Sequence, residues 1–274
     1  MKYSNTRTAE FISRPNRFIA NVKLDGELIA CHVKNTGRCK ELLVPGARVI
    51  LSESDNPQRK TRYDLISVWK GDRLVNIDSQ VPNKVFHEWL KGACFNNPPT
   101  RGLLQSLDRC SEEVQEYSPA GERPCQPLHG LDSGYERLRE SLVTDSTVLI
   151  KPEYRYNGSR LDFYIEAGEK KILVEVKGVT LEENGVVLFP DAPTQRGVRH
   201  IHELIEAVQK GYEAYIVFII QMKDVRYFTP NYKTHAEFGE ALQEAAVKGV
   251  HIFALDCSVT VESITPGSRV PVRL

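Results

Sequence analysis

Up to about residue 84, apolar side chains recur in short alternating runs: Glu10–Ser13, Phe18–Leu24, Leu28–Val33, Arg48–Leu51, Tyr63–Trp69 and Leu74–Ile77. A period of two in runs this short predicts β-strands. Asp25-Gly26 marks a tight hairpin, and Pro45-Gly46 and Lys70-Gly71-Asp72 mark further turns. One short helical stretch is expected near Arg38–Leu43. So many short strands in so little chain predict a small closed barrel of the OB type over residues 1–86, with an SH3-like barrel as the competitor.

The pattern then breaks. Residues 87–134 carry Asn96-Asn97-Pro98-Pro99-Thr100, Ser118-Pro119-Ala120-Gly121 and Arg123-Pro124-Cys125-Gln126-Pro127, and read as an irregular insert with one short helix around Leu103–Tyr117. Periodicity resumes over residues 135–274. A helix at Tyr135–Val143 precedes strands at Val148–Tyr154, Arg160–Glu166 and Ile172–Leu181. A helix at Thr194–Lys210, a strand at Ala214–Gln221, a helix at His235–Lys248 and a strand at Val250–Leu255 complete the order αβββαβαβ. Such an order predicts an α/β/α sandwich around a mixed sheet, so the whole is a two-domain α/β (α+β) chain.

Candidate chemistry sits on the second and third of these later strands. Glu175 and Lys177 are two apart and project from one strand face. A hairpin through Ala167-Gly168-Glu169-Lys170 brings Asp162 to the same face. Two carboxylates and an ammonium suit Mg²⁺-dependent (or Mn²⁺-dependent) phosphodiester cleavage, because hard oxygen ligands leave room for water and phosphate oxygens. The layout resembles that of the PD-(D/E)xK nucleases, restriction-endonuclease-like folds in which Asp162, Glu175 and the Val176 carbonyl would hold metal. Glu153 and Glu140 are candidates for a further carboxylate. The competing reading is a solvated sheet face with a cross-strand ion pair.

On the following helix Arg196, His200 and Glu203 share a face opposite the apolar stripe of Val198, Ile201, Leu204, Ile205 and Val208. Arg196 and Arg199 are candidates for phosphate contacts, and His200 or Glu203 for organising a metal-bound water. Gly197, unfavourable inside a helix, hints at close approach by a neighbour. His200 and His202 point to different faces and do not form a metal pair.

Lys/Arg and Asp/Glu balance at 36 each, but residues 1–90 hold fifteen against ten, so the basic excess belongs to the barrel. Arg14, Arg17, Lys34, Arg38, Lys60 and Arg62 are its candidates for nucleic-acid backbone contacts. Tyr63 and Phe18 are expected in the core rather than stacking on bases. Six scattered cysteines fit free thiols in a cytoplasm, and Cys94, Cys110, Cys125 and His129 lack zinc-site spacing. The polar N-terminus and the shortness of the apolar run Ala214–Ile220 predict neither secretory signal nor membrane span. A homo-oligomer stays open.

With these residues in view, the chain resembles the sugar fermentation stimulation protein A (SfsA) family. The matching stretches are Arg14–Phe18, Cys31–Arg38, Glu41–Gly46, Asn76–Asn83, Ser159–Phe163, Glu175–Leu181, Phe189–His200 and Phe228–Asn231. The resemblance implies an OB-type domain joined to a PD-(D/E)xK-like domain, and a DNA-binding role in regulating sugar (maltose) metabolism. One departure is about forty extra residues after the Val81-Pro82-Asn83 segment. The leading functional expectation is a DNA-binding protein with a metal-dependent nuclease site. The alternative is a DNA-binding regulator with a catalytically silent nuclease fold. An enzyme acting on a phosphorylated sugar ranks last, since no P-loop is present in the sequence.

Overall fold

The computed structural model describes residues 1–35, 37–56, 58–95, 133–143 and 148–274. Strands β1 (Thr6–Ser13), β2 (Ile19–Leu24), β3 (Glu27–Val33), β4 (Arg48–Glu53) and β5 (Tyr63–Lys70) form a sheet in the order β3-β2-β1-β4-β5. Parallel pairing of His32 with Asp64 and Val33 with Leu65 closes it into a barrel. This closure is the OB topology, not an SH3-like one. Alternation fills the interior with Ala20, Val22, Leu24, Cys31, Val33, Val49, Leu51 and Leu65. Asp25 and Gly26 both have positive φ (51° and 91°), as a hairpin turn matched to strand twist requires.

The helix expected near Arg38–Leu43 is a turn instead. The Leu42 and Leu43 N–H groups both bond to the Cys39 carbonyl, and Cys39, Leu42 and Leu43 are buried. Tertiary burial of this apolar cluster, rather than helical propagation, satisfies the segment.

A short β6 (Arg73–Asn76) leads to helix α1 (Val81–Phe95), which the sequence pattern does not predict: residues 87–95 are helical rather than irregular. In the turn before the helix Asp78 Oδ1 accepts the Gln80 N–H at 3.0 Å, and Pro82 falls in the first helical turn, where a missing N–H costs nothing. The helix expected at Leu103–Tyr117 lies outside the described residues, as do Cys110, Cys125 and His129. The four described cysteines are free.

Helix α2 (Ser133–Val143) precedes the antiparallel meander of β7 (Val148–Tyr156), β8 (Ser159–Ala167) and β9 (Lys170–Val179). Strand β9 runs parallel to β12 (Glu213–Ile220), and β12 to β14 (His251–Val259), with β15 (Ile264–Val270) as the antiparallel edge. Helices α3 (Gln195–Gln209) and α4 (Tyr232–Val247) make the two crossovers. On β12, Tyr215, Val217 and Ile219 pack toward α1 and α2, while Ile216, Phe218 and Ile220 pack toward α3 and α4. That two-sided burial explains its unbroken apolar run. A small sheet of β10 (Leu181–Glu183), β11 (Val186–Phe189) and β13 (Tyr227–Pro230) is an addition to the expected order, although Asn184-Gly185 (φ 51° and 83°) signals its hairpin. Strand β15 contains Thr265-Pro266-Gly267-Ser268 and reads as loop, a composition that only an edge strand tolerates.

A buried polar seam joins the two domains. The Gln221 amide donates to Asn76 Oδ1 (2.9 Å) and the Asp78 carbonyl (3.1 Å), and the Asn76 N–H returns a bond to the Gln221 carbonyl (2.9 Å). Lys70 and Arg73 of the barrel converge on buried Glu182 of the second domain. Burial would raise the Glu182 carboxyl, but its bonds, that from Lys70 foremost, hold it below the usual carboxylate range.

Candidate active site at the β8–β9 fork

Phe163 and Val174 are the last paired residues before β8 and β9 part. One step beyond, Asp162 and Glu175 occupy facing register positions. Asp162 does not continue the ladder; its carboxylate accepts the Val176 N–H (2.7 Å, Oδ2) and the Asn83 amide of α1 (2.7 Å, Oδ1). Burial, then the nearby Glu175 charge, push the Asp162 carboxyl up to about 6 despite those bonds.

Glu175 behaves in the opposite way. Burial alone would raise it, but Lys177 and then His200 outweigh burial and lower it. Its Oε1 accepts Lys177 Nζ at 2.5 Å and His200 Nδ1 at 2.6 Å. Arg196 Nε donates to His200 Nε2 at 3.4 Å, which assigns the ring proton to Nδ1. Glu175 Oε2 is buried and has no hydrogen-bond partner among the described residues. Two carboxylates with opposed proton affinities thus sit side by side, one aimed by an ammonium and an imidazole.

Helix α3 delivers His200 because Thr194 caps it, accepting the Gly197 N–H. A Cβ on Gly197 would lie 3.1 Å from the Phe238 ring of α4 and 2.9 Å from Thr194 Cγ2, so the absent side chain lets the helices meet. Arg196 and Arg199 are exposed on the same helix. Glu203 is not bonded to this group: Ser159 Oγ donates to its Oε1 at 2.6 Å, at the mouth of the β7–β8 hairpin. Glu153 turns outward at φ 56° beside Arg160, and Glu140 is exposed on α2. Among the described residues no three His, Cys, Asp or Glu side chains are clustered to hold a metal ion. His202 is exposed and faces Glu244, away from His200.

The barrel candidates divide. Arg14 is a brace: its guanidinium donates to the carbonyls of Arg17, Asn35, Gly37 and Arg38 at 2.7–3.0 Å. Lys34 pairs at 2.8 Å with Asp78, which is wholly buried. Arg62 is paired with Glu53 at 2.6 Å on the β4–β5 loop, and Lys60 is exposed there. Arg17 and Arg38 are exposed, gathered by the Arg14 brace into one rim. Tyr63 is core, as expected, but Phe18 is not: it stands 51% exposed next to Arg17. Residues that sequence reasoning does not find are Asn83, which carries no chemical signal of its own, and the Arg59–Asp64 pair (2.6 Å), with His32 on the same carboxylate at 3.0 Å.

A closed OB-type barrel joined to an α/β/α domain with carboxylates at a strand fork defines a two-domain architecture that known proteins share. The model of the SfsA N-terminal OB domain matches residues 12–77, and that of the sugar fermentation stimulation protein RE domain matches residues 134–263. The chain belongs to the sugar fermentation stimulation protein (SfsA) family. It is 52% identical to the sugar fermentation stimulation protein homolog of Desulfitobacterium hafniense strain DSM 10664, over 100% of this chain and 99% of the relative. It is 48% identical to the homolog of Clostridium beijerinckii, over 100% of both. These matches run through the stretch after α1, so the extra residues there are not peculiar to this chain. The structure of Pyrococcus furiosus SfsA in complex with Ca²⁺ superposes with a TM-score of 0.73 at 27% identity, over 100% of this chain and 98% of that one.

Proposed function

We propose that the chain is a nucleic-acid-binding protein, DNA being the first candidate, whose second domain is a PD-(D/E)xK-type centre for metal-dependent phosphodiester hydrolysis. The observation that carries this reading is the juxtaposition of Asp162, whose carboxyl burial and the Glu175 charge push up to about 6, with Glu175, whose Oε2 is buried and unpartnered among the described residues. Buried carboxylate oxygens without partners are costly unless a cation or donor completes them. The donor set fits a hard divalent ion such as Mg²⁺ or Mn²⁺: two carboxylates with the Val176 carbonyl, and no thiolate. The Ca²⁺ in the Pyrococcus furiosus SfsA complex is of the same hard class. When bound, such an ion neutralises phosphate charge and acidifies a coordinated water.

The chain's own residues supply the rest. Lys177 sits 14% exposed beside Glu175, the one ammonium paired with that carboxylate among the described residues, placed to meet a non-bridging phosphate oxygen. His200 holds Glu175 in one orientation, and Arg196 fixes the tautomer of His200. Arg196 and Arg199 on α3, with Arg17 and Arg38 on the barrel rim, form the phosphate track, and Phe18 offers an aromatic face to a base.

Incubating single- and double-stranded DNA and RNA with Mg²⁺, Mn²⁺ or EDTA tests the reading, with Lys177→Ala as control. Metal-dependent cleavage lost in Lys177→Ala supports it, and equal residual cleavage in both proteins points to contamination. Binding without cleavage sinks the nuclease reading and favours a DNA-binding regulator, with sugar fermentation, the one process in the family name, as its first context.

A further inference from the structure

Beside the fork a cleft of about 350 Å³ opens between the two domains. Asn35, Gly37 and Ser79 line it from the barrel side, and Thr180, Leu188 and Asp191 from the other. Gly178, next in sequence to Lys177, also lines it, so the cleft begins where the candidate chemistry ends. We propose that this cleft receives one unpaired nucleobase of the bound strand, so that the preferred substrate carries an overhang, gap or extruded base rather than intact duplex. The proposal deepens the nuclease reading and rests on it for the identity of the ligand.

Three features favour a base over other occupants. The volume lies at the small end of ligand sites, about 300–1,000 Å³, which suits a nucleoside and excludes stacked pairs. Among the described residues the lining contains no lysine or arginine and one carboxylate, Asp191. A phosphate is therefore unwelcome inside; Lys177, Arg196 and Arg38 are not among the lining residues. The walls match the two aspects of a base: leucine and proline surfaces at Leu188 and Pro193 for its faces, and hydroxyls and Asp191 for its edge.

The two domains also meet across the cleft. A Cβ on Gly37 would lie 2.8 Å from Asp191 Oδ2, and one on Gly178 would lie 2.6 Å from Pro82 Cγ and 2.7 Å from Gln221 Oε1. At both pinch points only the missing side chain lets the walls close. A rigid duplex is too wide to enter so small a cleft, whereas a single extruded base can.

The test measures binding of the full chain, with Ca²⁺ in place of Mg²⁺, to two otherwise identical duplexes. One is blunt and fully paired; the other carries a single unpaired 2-aminopurine. Wild type should hold the second at least about tenfold tighter and change the probe's fluorescence. Thr180→Trp, which fills the cleft, should bring the two affinities within about twofold without weakening binding to the blunt duplex. Asp191→Asn preserves shape and should reduce the preference for the unpaired 2-aminopurine duplex. It guards against misfolding of the tryptophan variant, which thermal melting would reveal. Equal affinities in wild type, or an undiminished preference in a folded Thr180→Trp, overturn the proposal. Cleavage read in parallel separates the two claims. Equal cleavage of both duplexes removes the base cleft and leaves the nuclease; discrimination without cleavage does the reverse.

Discussion

Asp162 takes its second-strand hydrogen bond from Val176 with its side chain, the Val176 N–H donating to Oδ2 at 2.7 Å. The carboxylate thereby replaces the backbone carbonyl that a continuing ladder would use. Strands β8 and β9 part at that point, and the opening beside Glu175 exists because the ladder stops there.

Protonation of Asp162 should govern stability in the absence of metal. Its folded pKa of about 6 exceeds the ordinary 3.8, so the native state binds the extra proton between those values. The favourable contribution is complete below pH about 4 and is lost as pH rises through about 6. Asp162→Asn should therefore stabilise the metal-free protein at pH 7.5 by about 1–3 kcal/mol, a rise of a few degrees in Tm, and have little effect at pH 4. Melting in EDTA at the two pH values checks this. A destabilised variant at pH 7.5 contradicts it.

Removing His200 should cost more than its hydrogen bond. The ring is buried (2% exposed) and is one of two donors on Glu175 Oε1. His200→Ala leaves a cavity and a buried carboxylate held by Lys177 alone, a loss of about 2–4 kcal/mol in urea denaturation. Lys177→Met should be folded but lose cleavage by about a hundredfold or more, with DNA affinity changed far less.

Lys34 and Arg14 should behave as structural groups and Arg17 and Arg38 as phosphate contacts. Lys34→Met abandons Asp78 inside the interdomain seam and should destabilise by about 3–5 kcal/mol, with much of that recovered in the double variant carrying Asp78→Asn. Neither protein should show a changed salt slope for DNA binding. Chemical denaturation together with salt titration reads both outcomes.

Arg17→Ala and Arg38→Ala should leave Tm within about a degree and each reduce the salt slope of DNA binding by about 1. Arg14→Ala should lower affinity by a different route, through collapse of the rim that its four carbonyl bonds assemble. Its melting temperature should therefore fall along with affinity.

Strands and helices that present one apolar face are legible because their period is written in adjacent residues, as in Phe18–Leu24 or the α3 stripe. Helix α1 is not. Asp78, in the turn before it, is buried against Lys34, which follows β3, and the apolar residues of α1 face a sheet formed much later in the chain. The turn at Cys39–Leu43 reads as helix in sequence because propensity there yields to burial against the barrel only in the folded state. Hydrophobicity alone places Phe18 in the core, and only the loop geometry puts it outside.

The candidate chemistry divides in the same way. The sequence by itself determined that Glu175 and Lys177 share a strand face and that Asp162 lies one hairpin away, because a period of two and a tight turn are local facts. Tertiary structure alone decided what those groups are. Asn83 from α1 and the Val176 N–H hold Asp162, His200 from α3 aims Glu175, and although burial raises both carboxyls, Lys177 and His200 lower only Glu175, which drives the two proton affinities apart. The cleft beside them needs both domains, since its walls are about a hundred residues and more apart in the chain, joined only when the polar seam closes. Residue type and spacing are encoded locally; desolvation, and the partners that offset it, belong to the folded whole.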